Sequence, residues 1–167
     1  NIDLPNLTLP FRETLKPNDP IFQNIHNHII ASNDIALNAA REQAQEEGFT
    51  AQIIQSGVTG EARQVGKRLA EKLLEAPQTH PRPFCLLTGG ETTVTLTGNG
   101  RGGRNQELAL GAVETLRGAR DVMLLSIATD GEDGPTDAAG ALATGESAQR
   151  AESLRMAAAG FLSRNDA

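Results

Sequence analysis

Three polar, glycine-rich turns punctuate the stretch from Cys85 to Ala139, each set directly after an apolar run. They are Thr88-Gly89-Gly90-Glu91-Thr92-Thr93, the loop from Gly98 through Arg101, Gly103 and Arg104 to Glu107, and the acidic turn from Thr129 through Asp130 and Asp133 to Asp137. Short apolar runs that stop at glycine turns, interleaved with amphipathic stretches, predict strands alternating with helices. Runs apolar throughout belong to strands covered on both faces, so the expected fold is α/β: a layered, largely parallel sheet with helices on both faces. Ligands of such sheets bind beyond the carboxyl ends of the strands, where at least the first and third turns should gather.

Composition agrees with that class. Hydrophobic residues make up 38% of the 167 residues, but aromatic ones only 3%, with no Trp or Tyr. The core must therefore be aliphatic, which suits helices packed on a sheet better than a β-sandwich. A net charge of −6 argues against a general nucleic-acid binder. No run reaches the roughly 18 apolar residues of a membrane span. A single cysteine, Cys85, sits in an apolar run as a small core residue without a disulfide partner, and suggests a reducing, cytoplasmic setting.

Along the chain, residues 1–20 carry four prolines and read as a connector. Residues 21–80 form an α/β segment. In it, 25–31 is expected as a strand with His26 and His28 on one face, a satisfied or exposed pair before a metal site. Ser32 or Asn33 caps a helix running to Glu47 that buries Ala36, Ala40 and Ala44, and Gly48 ends it in a left-handed conformation. A strand at 50–55, a turn at 57–60 and a helix at 61–75, with Ala62, Val65, Leu69 and Leu73 on one stripe, complete it. The proline-rich loop 77–83 is the internal boundary. Beyond it, strands are expected at 84–87, 92–97 and 122–128, a helix at 105–117, and a helical tail at 147–163 interrupted by Gly160.

The turns carry the chemistry. Glycines let backbone N–H groups approach a ligand, and a helix N-terminus attracts anions, so Gly100, Arg101, Gly103, Arg104 and Asn105 can grip a phosphate or carboxylate. A flexible glycine-rich hairpin with solvated arginines is the plainer alternative. Gly98, Gly100 and Gly103 match the dinucleotide Gly-x-Gly-x-x-Gly by letters alone, with no ribose-binding acid at the proper distance. Asp130 and Asp133 can hold Mg²⁺, and Asp130 can act as a base, although an Asp-Gly turn that caps neighbouring elements explains them as well. Gly89, Gly90, Glu91 and Thr92 can line the same crevice or simply make a tight turn. Asn33 is first a helix cap and second a ligand contact.

Read together, Leu86-Leu87-Thr88-Gly89-Gly90-Glu91-Thr92-Thr93-Val94, Gly100-Arg101-Gly102-Gly103-Arg104-Asn105-Gln106-Glu107 and Thr129-Asp130-Gly131-Glu132-Asp133-Gly134 resemble the MOFRL domain of class II glycerate kinases, a family also labelled hydroxypyruvate reductases. His26-Asn27-His28-Ile29-Ile30-Ala31-Ser32-Asn33 resembles the segment that precedes this domain. The resemblance implies that residues 84–167 are a MOFRL domain incomplete at its C-terminal end, and that the chain is a truncated, inactive fragment of a two-domain glycerate kinase. It implies transfer of the γ-phosphoryl of ATP, with Mg²⁺, to D-glycerate at the 2-hydroxyl, with Arg104 and Asp130 as catalytic residues. Small-molecule substrate and nucleotide are the implied partners; membrane and nucleic acid are not, and a homodimer is admitted. An NAD(P)H-dependent hydroxypyruvate reductase and a non-catalytic small-anion binding module are the competing readings.

Overall fold

A computed structural model describes residues 14–167, so most of the expected connector, residues 1–13, lies outside the described residues. The chain divides into two compact units, residues 1–30 and 31–167. In the first, a 3-10 helix spans Pro20–Asn24, opened by Asp19, whose carboxylate accepts from the Ile21 N–H at 3.0 Å. The strand expected at 25–31 is absent. Its alternating isoleucines fit a strand, but no ladder partner takes up its backbone, and Ile29 and Ile30 are exposed.

The second unit carries the fold. Helix α1, Asn33–Glu46, starts where Ser32 Oγ accepts from the Ile35 N–H at 3.2 Å, the expected cap. Its buried contact is Leu37; Ala36 and Ala40 are exposed and Ala44 is half-buried, because the helix lies on β-structure through one large side chain, not through a small-residue stripe. Strand β1, Thr50–Val58, pairs in parallel with β2, Phe84–Gly90, from Thr50 opposite Phe84 to Val58 opposite Gly90. Between them runs α2, Ala62–Glu75. This is a β-α-β unit, so the residues on either side of loop 77–83 share one sheet.

The stretch 92–97, expected as an alternating strand, makes only an isolated bridge of Thr93 to Glu61. It is held by side chains instead: Glu61 accepts from the Thr95 N–H at 3.1 Å and from the Thr95 hydroxyl at 3.0 Å. Helix α3, Arg104–Leu116, then crosses α2 closely enough that a Cβ at Gly66 would collide with the Leu108 carbonyl, and one at Gly111 with that of Arg63. Strand β3, Met123–Ile127, pairs antiparallel with β4, Gly140–Thr144, so the acidic turn is the connection of this hairpin. The tail is α4, Ser147–Ser153, and α5, Ala158–Ser163; the break falls at 154–157 and Gly160 lies inside α5.

The core is aliphatic, as the composition requires. Val65, Leu108, Ala112, Leu116, Leu124 and Ala143 meet between α2, α3 and the β3–β4 pair. Burying side chains such as Val65 and Leu116 stabilises the unit by about 1.5–3 kcal/mol each. The opposite face of the hairpin, with Met123, Leu125, Ile127 and Leu142, is exposed. Among the described residues no helix is long and apolar enough to cross a membrane.

Candidate active site

All three polar turns meet at the N-terminal turn of α3. A helix start leaves N–H groups unpaired and partly positive, and Gly103 at the N-cap position has no side chain to satisfy them. The acidic turn supplies the missing acceptor. Asp133, 2% exposed, takes the Asn105 N–H at 3.0 Å and the Gln106 N–H at 2.8 Å, together with the side-chain amides of Asn105 at 3.1 Å and Gln106 at 3.0 Å. Burial pushes its carboxyl up, but these hydrogen bonds outweigh burial and hold it below the usual carboxylate range. Asn105 Oδ1 in turn accepts from the Ser126 hydroxyl on β3 at 2.7 Å. Thus the anion seat at the head of α3 is filled by the protein's own carboxylate, and the Asp133 oxygens are committed to capping rather than to a metal.

Arg104 opens α3 and reaches Glu91, just beyond β2, at 3.2 Å, with both side chains substantially exposed. The Asp133 carboxylate offsets the positive end of the helix, which lets a cation stand there. Arg101 turns the other way, its guanidinium donating to the Pro135 carbonyl. The two guanidiniums therefore serve different neighbours and do not form one fork. Arg101, Gln106, Thr136 and Asp137 line an open cleft of about 540 Å³. Asp130 is exposed at the start of the acidic turn and, among the described residues, accepts only the Glu132 N–H, at 3.2 Å.

Gly89, Gly90 and Glu91 lie at the carboxyl end of the parallel pair, the position where ligands of such sheets bind. Thr92 is buried behind them. Asn33 sits over Gly89, where a Cβ would collide with its side-chain oxygen. Its amide donates to Ser56 Oγ at 2.8 Å, and Ser56 donates to Asp34. Ser56 and Asp34 were missed from sequence; the visible signal was a serine-glycine pair ending an apolar run. Gly100 and Gly103 are needed for approach to the chain itself, since side chains there would strike Asp166 and Asp133. Among the described residues no three His, Cys, Asp or Glu side chains cluster to hold a metal ion.

A second network backs the site. Buried Glu107 accepts from Arg63 Nε at 2.7 Å and from the Asn165 amide at 3.3 Å. It joins α2, α3 and the turn at 164–167, and its members are too far apart in sequence to have been read as a group.

This chain belongs to the MOFRL family, whose family model matches residues 84–167. Among its relatives, the D-glycerate 2-kinase of Thermotoga maritima is 39% identical over 158 residues, covering 93% of this chain and 38% of that protein. The glycerate 2-kinase of Pyrococcus horikoshii is 41% identical over 137 residues, covering 80% of this chain and 30% of its own length. The crystal structure of the glycerate kinase from Thermotoga maritima superposes with a TM-score of 0.81 at 40% identity, over 83% of this chain and 34% of that one. The chain thus spans about a third of the length of the relatives it matches.

Proposed function

We propose that this chain supplies one wall of the active site of an ATP-dependent glycerate 2-kinase. The observation that carries the reading is Arg104: a partly exposed guanidinium at the head of α3, beside the carboxyl edge of β1–β2, paired with the still more exposed Glu91. The backbone N–H groups of the next two residues, Asn105 and Gln106, are held by Asp133, and the exposed Arg104 side chain is free to exchange Glu91 for a substrate anion. The kinship with proteins named D-glycerate 2-kinase and glycerate 2-kinase supports D-glycerate as the acceptor, and kinase chemistry supports ATP as the donor.

In the reaction, the glycerate 2-hydroxyl oxygen bonds to the γ-phosphorus as the bond to the ADP oxygen breaks. The hydroxyl proton leaves to a base, and ADP departs with the bonding electrons. Arg104 neutralises charge building on the transferring phosphoryl, the effect on which most catalytic power in phosphoryl transfer rests. Asp130, exposed and with most of its lone pairs uncommitted, orients the accepting hydroxyl and takes its proton. Mg²⁺ would arrive with ATP and use few protein ligands, and Asp130 is one of the exposed carboxylates of this turn that could reach it. Arg101, with Gln106 and Thr136 in the open cleft, binds the substrate carboxylate. The cytoplasm, which supplies ATP, is the expected setting.

The test is ADP release by the full-length protein with MgATP and D-glycerate, with Arg104→Ala alongside. Turnover that drops by about 10³-fold in the variant supports the reading. Absence of ADP, with NAD(P)H consumed on hydroxypyruvate instead, replaces it with a reductase.

A further inference from the structure

The loop that carries the arginines is moulded on a turn more than sixty residues further along the chain. Asn165 is 5% exposed and adopts φ 55°, a left-handed conformation that asparagine tolerates better than most residues. Its side-chain oxygen accepts the Thr97 N–H at 2.6 Å and the Gly98 N–H at 2.9 Å. Its amide donates to the Thr95 carbonyl at 3.1 Å and to buried Glu107 at 3.3 Å. The next steps of the loop are held by the neighbours of Asn165. The Gly100 N–H donates to the Arg164 carbonyl at 2.8 Å, and the Arg101 N–H to Asp166 Oδ1 at 3.1 Å. The same Asp166 binds Arg164 Nε at 3.0 Å, and the Arg101 N–H and then Arg164 keep its carboxyl below the usual range.

Apart from the Glu107 contact and the Arg164–Asp166 pair, these bonds run from the arginine loop, or the segment leading into it, to the turn at 164–166. The glycines of the loop make the fit possible, because a side chain at Gly100 would strike Asp166. On its far side the loop ends at Gly103 and the Asp133 cap. The path of the backbone between Gly98 and Arg104 is therefore fixed at both ends, by two different segments.

We propose that Asn165 and Asp166 are positioning residues of the phosphoryl-transfer site. They touch no substrate; they set where Arg101 and Arg104 stand by holding the loop that bears them. This rests on the kinase reading given above. A site whose cation is displaced by about 1 Å loses on the order of 10²-fold in rate, so a turn that holds this loop has kinetic consequences.

The test uses the full-length protein with Asn165→Gly, which keeps the left-handed backbone and removes the side-chain bonds, and the more exposed Asp166→Ala, which releases Arg101. Steady-state kcat and both KM values are measured below the melting temperature of each variant. The expected result is a fall in kcat of about 10- to 100-fold in both variants, with the KM for ATP within about threefold of wild type and that for D-glycerate raised in Asp166→Ala, where Arg101 is loosened. Unchanged kcat in folded Asp166→Ala overturns the proposal and leaves the turn a purely structural clamp, and this variant decides the matter if Asn165→Gly does not fold. Arg104→Ala separates the two ideas. Lost turnover there with unaffected Asp166→Ala sinks only the positioning role, whereas a wild-type protein without kinase turnover sinks both.

Discussion

The two ends of the acidic turn can be compared directly, since Asp130 and Asp133 belong to one hairpin connection. Asp133 is enclosed, with both oxygens engaged by backbone and side-chain donors from the head of α3. Asp130 stands in solvent with one bond inside its own turn. A carboxylate that a helix needs cannot be lent to a substrate without uncapping the helix; one that nothing needs can. The same split separates the glycines, Gly103 packed against Asp133 and Gly131 facing open space. The structural duty of the turn thus falls on Asp133 and leaves its neighbour Asp130 uncommitted.

The largest test of this division is Asp133→Ala. Loss of the cap should lower stability by about 3 kcal/mol in urea denaturation, because α3 is left with unpaired donors in a buried place. A loss below about 1 kcal/mol would break the contrast. Next comes Gly103→Ala, expected to cost about 2 kcal/mol by overpacking onto the Asp133 carboxylate. Its counterpart Gly131→Ala should cost about 1 kcal/mol, from the left-handed φ of 87° alone.

Acid should find the same residue. The folded carboxyl of Asp133 lies below its unfolded value of about 3.9, so its stabilisation is complete above that pH and is lost as pH falls through the folded value. Melting temperatures followed from pH 6 to pH 2 should fall less steeply below about pH 4 in Asp133→Asn than in wild type. The smallest stability effect belongs to Asp130→Ala, within about 0.5 kcal/mol. Its kinase turnover in the full-length protein should nevertheless fall by about 10²-fold or more. Retained activity would remove Asp130 from the chemistry.

What could be read from sequence followed from local signals. Ser32 marked the start of α1, Gly48 its left-handed end, and the stripe through Ala62 and Val65 the buried face of α2. The alternating residues at 25–31 and 92–97 misled because β-propensity describes a residue's fit to a sheet and not the presence of a partner. Strand β4 was missed for the converse reason: Gly-Ala-Leu-Ala-Thr has little strand character and owes its state to β3 beside it. In the site, Arg104, Glu91 and Asp130 were visible as motifs. Capping by the acidic turn was one of two readings the residues allowed, but that Asp133 caps α3 in particular, and that Asn165 holds the glycine loop, was not visible, since each depends on a contact between segments distant in sequence.

The close crossing of α2 and α3 at Gly66 and Gly111 has a mechanical meaning. Helices separated by interdigitated side chains can shear by small rotamer adjustments, but two backbones in near contact have no such compliant layer between them. Such a pair resists shear, so the head of α3 and the start of α2, where Arg63 meets Glu107, are held at one fixed separation.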